Sequence, residues 1–130
     1  MCPINEQQRP VLVAETDPTS VRNLRECLML LNVPARVALT EEELLSAIRH
    51  EVFSCAIVSA ELRMDGEPAM AHLAALPSIR CLIVVGDDEK SEEQARLCGA
   101  TLYLTRPVAA EVLAAALRQA VRASYAPDAS

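Results

Sequence analysis

The sequence predicts an α/β domain: five strand–helix units building one open parallel sheet covered by helices on both faces, a three-layer sandwich. Three observations carry this. Short apolar runs recur along the chain and are apolar at every position, as strands buried on both faces require. Each is followed by a stretch with helical spacing and an identifiable cap. The chain of 130 residues has room for one domain and a substantial core.

The elements follow in order. Residues 1–9 are polar and aperiodic and read as an N-terminal tail, with the domain spanning 10–123 and a second tail at 124–130. Val11-Leu12-Val13-Ala14 reads as the first strand, and Glu15-Thr16-Asp17-Pro18 leads out of it. Asp17 before Pro18 is a helix-start pair, a carboxylate cap ahead of a proline in the first turn. Val21, Leu24, Leu28 and Leu31 then recur at helical spacing up to Asn32. A turn and a brief second strand occupy Val33 to Leu39. Thr40 and Glu43 form a capping box for a helix that ends near Glu51. Phe53 to Val58 is the third strand, Leu62 to Gly66 a loop, and Pro68 to Leu76 an alanine-rich helix. Cys81 to Val85 is the fourth strand, with a polar loop from Gly86 to Glu89. A helix starting at Ser91 closes at Gly99. Thr101 to Leu104 is the last strand, and the last helix runs from about Val108 to Ala123.

Composition narrows the function classes. The formal charge of −6 argues against nucleic-acid binding by this chain, and three aromatic residues leave few stacking platforms. No apolar run is long enough to span a bilayer, and Met1-Cys2-Pro3 does not open a signal peptide, so a cytoplasmic location is expected. The five cysteines are odd in number, widely spaced and without a Cys-x-x-Cys pair, which argues against a zinc site or a disulfide framework. Cys27, Cys55 and Cys81 lie in apolar runs and read as core residues, although Cys55 and Cys81 could sit on neighbouring strands as a redox pair.

Open sheets of this kind bind ligands outside the carboxyl ends of their strands. That rule gathers Glu15 to Asp17, Ser59 to Asp65, Gly86 to Asp88 and Arg106 on one rim.

The segment Gly99-Ala100-Thr101-Leu102-Tyr103-Leu104-Thr105-Arg106-Pro107-Val108 resembles the last strand and helix entry of receiver domains from two-component signalling. Val11 to Pro18 resembles that family's first strand and acidic turn, and Phe53 to Ser59 with Met64-Asp65-Gly66 resembles its acceptor strand and following loop. The likeness covers about residues 10–122 and implies a flavodoxin-like (βα)5 sheet with strand order 2-1-3-4-5. It also implies a site of acidic metal ligands, a nucleophilic aspartate, a switch Ser or Thr, and a lysine before a cis proline.

This chain departs from that site. Glu15 takes the first acidic position, Thr16 stands where the second would be, and Asp17 reads as a helix cap. A one-residue deletion places Ser59 in the acceptor slot, and a larger one places Glu61 there. At the switch, Val85 and Gly86 supply no hydroxyl, while Tyr103 fills the aromatic position. Arg106 replaces the lysine ahead of Pro107, and arginine is planar and permanently charged.

The reading is a non-enzymatic, non-phosphorylatable signalling module of a bacterial two-component or related system. Tyr103, Ala110, Leu113 and Ala114 would offer its interaction face. The expected partner is a histidine kinase, another regulator domain or a second copy, with no nucleic acid and no membrane. No cofactor is expected, and Glu15 is the one weak candidate for Mg²⁺. One alternative is a phosphoacceptor using Glu61 or Asp65 with Glu15 and Mg²⁺. Another is a sensor of a nucleotide second messenger through Arg106, Arg118 and Arg122.

Overall fold

A computed structural model describes the backbone of residues 10–125 and the side chains of residues 10–119. The tails at 1–9 and 126–130, and the Arg122 side chain, lie outside the described residues.

Strands β1 (Val11–Ala14), β2 (Ala35–Ala38), β3 (Cys55–Ser59), β6 (Cys81–Gly86) and β7 (Leu102–Thr105) form the main sheet in the order β2-β1-β3-β6-β7. Every neighbouring pair is parallel, which gives the 2-1-3-4-5 arrangement of a doubly wound sheet. Helices α1 (Pro18–Leu30), α2 (Glu41–His50), α3 (Ala69–Ala74), α4 (Glu89–Cys98) and α5 (Ala110–Tyr125) cover it.

Side-chain alternation along the strands divides the core into two halves. Val11, Val13, Ile57, Ile83 and Val85 point to the face covered by α1 and α5, where Leu24, Leu28 and Leu113 meet them. Leu12, Ala14, Ala56, Val58, Leu82 and Val84 point to the opposite face, against Leu44, Met70, Leu73 and Ala95. The three central strands are buried along their whole length, while β2 and β7 are partly exposed edges.

The caps set where the helices begin. Asp17 accepts from the Ser20 N–H at 3.1 Å and starts α1. Thr40 accepts from the Glu43 N–H at 3.1 Å and starts α2. Helix α4 starts earlier than Ser91, because Asp88 is the cap and takes the Ser91 N–H at 2.9 Å. Gly99 closes it in the left-handed region at φ 97°.

Several boundaries differ from the sequence expectation. Strand β3 starts at Cys55 and runs through Ser59, because Ser59 still pairs with Val85 of β6. The expected loop after it is a small hairpin, β4 (Arg63–Met64) with β5 (Glu67–Pro68), and α3 starts after Pro68. Asp65 (φ 56°) and Gly66 (φ 79°) make its two-residue turn, the conformation an Asp-Gly pair tolerates best. Helix α5 starts at Ala110 and not at Val108, because the Asn23 amide holds the Val108 backbone at both ends. Asn23 donates to the Val108 carbonyl at 3.0 Å and accepts its N–H at 3.0 Å. At its far end α5 continues through Tyr125, so residues 124–125 belong to the helix and not to the tail. No described helix is long and apolar enough to cross a membrane.

Candidate functional site

The carboxyl ends of β1, β3, β6 and β7 converge on one side chain, Arg106. The Arg106 N–H donates to the Gly86 carbonyl at 3.0 Å, which continues the β6–β7 ladder one residue past the strand and aims the guanidinium across the rim. The Arg106–Pro107 bond is cis, as the family likeness implied.

The guanidinium binds partners from four elements. Its Nη2 donates to Glu15 Oε1 at 3.1 Å, Ser59 Oγ at 2.9 Å and Glu61 Oε1 at 2.7 Å. Its Nη1 reaches Glu61 Oε2 at 3.2 Å and Asp87 Oδ2 at 3.0 Å, and Nε points to Ser20 Oγ at 3.4 Å. Glu61 is therefore gripped by two nitrogens of a planar fork, a geometry lysine cannot reproduce. The arginine side chain is 15% exposed and that of Glu15 only 2%, whereas Glu61 and Asp87 stand more than half in solvent.

The remaining valences are filled from within. Glu15 Oε2 accepts the N–H groups of Thr16 and Asp17 at 3.0 and 3.1 Å. Ser59 donates to Glu61 Oε1 at 2.7 Å and accepts the Glu61 N–H at 3.2 Å. The hydrogen bonds from Arg106, with a smaller contribution from the Ser59 hydroxyl, hold the Glu61 carboxyl below the usual glutamate range against its partial burial. The same contact, led by Glu61 and joined by Glu15 and Asp87, pushes the Arg106 guanidinium further up.

Ser59 and Glu61, the two residues expected to compete for the acceptor slot, both bond Arg106. Serine lies at the buried strand end and the glutamate folds back over it on the solvent side. Thr16 is exposed and Asp17 is committed to its cap. Asp65 sits on the exposed hairpin turn, where its N–H donates to Glu41 at 3.0 Å, and it is not a partner of Arg106.

Divalent-cation chemistry does not fit this donor set. The oxygens that would face a metal already bind a permanent cation, and Glu15 spends its second oxygen on two backbone N–H groups. Among the described residues no group of three or more His, Cys, Asp or Glu side chains is arranged to hold a metal ion.

Beside this cluster, the Tyr103 ring crosses over Gly86, and its hydroxyl donates to the Asp88 carbonyl at 3.0 Å. Gly86 makes room for it: a Cβ there would collide with the Tyr103 hydroxyl and lie 3.1 Å from Ser91 Cβ. Burial pushes the Tyr103 phenol above its ordinary pKa. Val85, the neighbouring switch position, is a core residue with its side chain on the α1/α5 side.

The expected interaction face needs one correction. Leu113 is fully buried, packed with Val85, Val108 and Leu117 beneath α5, because its position on the helix turns it to the sheet. Tyr103, Ala110 and Ala114 are partly exposed. Arg118 is exposed on α5 and has no part in the Arg106 cluster. Two contributors escaped the sequence reading, Ser20 and Asn23. Asp87 and Ser20 are rim partners of Arg106, and Asn23 fixes the segment after Pro107. Asp87 lay within the rim loop already singled out, but neither Ser20 nor Asn23 carries a local motif.

Comparison with solved structures gives the same fold. The receiver domain of a histidine kinase from Syntrophus aciditrophicus matches with TM-score 0.76 and 19% identity over 93% of this chain and 96% of that one. A receiver domain protein from Methanospirillum hungatei matches with TM-score 0.74 and 20% identity, covering 87% of this chain and 93% of its own. The receiver domain of a modulated diguanylate cyclase from Desulfovibrio desulfuricans matches with TM-score 0.75 and 23% identity over 87% and 93% of the two chains. The architecture is that of CheY-like receiver domains. No protein-family model and no curated protein matches the sequence.

Proposed function

We propose that this chain is a receiver-like signalling module that works by docking and does not accept a phosphoryl group. The observation that carries the reading is the Arg106 guanidinium seated among Glu15, Ser59 and Glu61. In the receiver family that space is taken by a phosphorylated aspartate, its metal and a mobile lysine. Here a serine replaces the nucleophile, and a hydroxyl cannot form an acyl phosphate. The Glu61 carboxylate supplies a permanent negative charge above Ser59, and Arg106 supplies its permanent counter-charge. Tyr103 lies over Gly86 with its hydroxyl on the Asp88 carbonyl, on the α4–β7–α5 side that such a module would present.

In this reading the module is non-enzymatic. It needs no cofactor, and it presents that side to a histidine kinase, another regulator domain or a second copy of itself. Leu97 on α4 and Val112 on α5 are exposed apolar residues available to such a partner.

The test is incubation of the full chain with acetyl phosphate and Mg²⁺ followed by intact mass measurement. The expected result is an unmodified mass for the wild type and for Glu61→Gln. A phosphoryl adduct on the wild type that disappears in Glu61→Gln would overturn the reading in favour of a displaced acceptor. A Ser59→Asp variant tests the rest of the rim and is expected to stay unmodified, because Arg106 occupies the metal position.

A further inference from the structure

At the opposite end of the sheet, Cys55 and Cys81 open β3 and β6 and are direct register partners in the parallel ladder. Partners in register point to the same face, and both thiols lie in the α1/α5 half of the core. Neither is bonded to another cysteine. We propose that Cys55 and Cys81 are an oxidative modification site, a vicinal pair that a peroxide converts to a reversible cross-strand disulfide.

Geometry permits the bond without refolding. Neighbouring strands run about 4.8 Å apart, inside the roughly 4.4–6.8 Å range of Cα separations that disulfides span. Parallel neighbours also keep their Cβ atoms about that far apart, beyond the ~3.8 Å a relaxed disulfide prefers. The bond is therefore strained, and strained disulfides are the readily reduced ones that suit reversible modification. Cys55 is 8% exposed and Cys81 2%, so both thiols are screened from bulky reagents and Cys55 is the one nearer to solvent.

Hydrogen bonds from Cys55 and from Thr101 favour the Cys81 thiolate and lower its pKa against burial. Cys55, whose proton is held by that contact and by burial, is pushed up. Thr101 is fixed in place because its hydroxyl oxygen also accepts the Leu82 N–H at 3.0 Å.

One of the two sulfurs attacks one oxygen of hydrogen peroxide and breaks the O–O bond. The departing hydroxide takes up the thiol proton as water and leaves a sulfenic acid. The partner sulfur then forms the S–S bond and displaces the sulfenic hydroxyl, which leaves with the partner thiol's proton as a second water. The two thiols lose two electrons in all, and one peroxide is reduced to two waters.

The experiment exposes the full chain to hydrogen peroxide, blocks remaining thiols under denaturing conditions, and maps the digest by mass spectrometry. The expected result is a peptide joining Cys55 to Cys81 and the paired loss of these two thiols from the labelled set, both reversed by dithiothreitol. Cys55→Ala and Cys81→Ala are each expected to abolish the cross-link, with circular dichroism confirming the fold. Full labelling of both thiols after peroxide would overturn the proposal. So would cross-links formed only through Cys2, Cys27 or Cys98, or over-oxidation of single thiols with no bridge. The site lies at the far end of the strands from Arg106, so its failure leaves the rim reading untouched.

Discussion

Removal of the Arg106 side chain should destabilise the fold through Glu15 more than through any other partner. Glu15 is 1% exposed, and its Oε1 faces the guanidinium at 3.1 Å, whereas Glu61 and Asp87 can return to water once the arginine is gone. Breaking a buried ion pair from one side typically costs about 3–5 kcal/mol. Arg106 is not fully buried, water can enter its place, and two backbone N–H groups still solvate Glu15, so the cost falls to the bottom of that range or just below it, about 2–3 kcal/mol. The exposed pairs with Glu61 and Asp87 add at most about 1 kcal/mol together. Arg106→Ala is therefore expected to lose about 3 kcal/mol in urea unfolding at neutral pH. Arg106→Lys should lose less, because it keeps the charge but not the fork. A second change, Glu15→Gln, removes the orphaned charge and should recover about half of the loss.

The pH dependence has a definite sign. The Glu61 carboxyl is lowered in the folded state, so its contribution is present above the ordinary glutamate pKa of about 4.3 and fades as pH falls through the folded value. The gap between wild type and Arg106→Ala should narrow in that acid window. A loss under about 0.5 kcal/mol for Arg106→Ala, or additive single and double variants, would refute the buried-pair reasoning.

Two further outcomes follow from neighbouring contacts. Gly86→Ala should drive the Tyr103 phenol off its seat, which costs its hydrogen bond to Asp88, about 1 kcal/mol. Its ionisation, followed by tyrosinate absorbance, should then move down toward that of a free phenol; an unchanged titration would mean that the ring moves without leaving. Asn23→Ala removes both bonds to the Val108 backbone and should cost about 1–3 kcal/mol. Amide hydrogen exchange at Val108 and the first turn of α5 should quicken, and equal protection in the variant would show that packing alone holds this segment.

Much of the fold was legible because its signals are local. Strands apolar at every position, such as Cys55–Val58 and Cys81–Val85, are at home only in a sheet covered twice, and the Asp17-Pro18, Thr40/Glu43 and Gly99 signals mark helix ends within a few residues. The errors lie where two local signals compete or a distant residue decides. Asp88 and Ser91 both suit a cap, and Asp88 takes the role by accepting the Ser91 N–H at 2.9 Å. Asp65-Gly66 carries the mark of a tight hairpin but is flanked by strands of only two residues, too short for alternation to show. The late start of α5 depends on Asn23, 85 residues away in sequence.

The rim shows the same division. Sequence alone marked the chemical positions as departing from the family's pattern, since Thr16, Gly86 and Arg106 are read directly against the motif the chain resembles. It could not decide between Ser59 and Glu61, because two alignments differing by a deletion place either one in the slot. Only the tertiary structure brought the two together, with Ser59 paired to Val85 at the strand end and Glu61 turned back to share the same guanidinium. The physical reason is that charge pairing acts through space. Periodicity and capping are encoded within a few residues, but Arg106, Glu15, Ser59 and Asp87 come from four strand ends and meet only once the sheet has closed the distance between them.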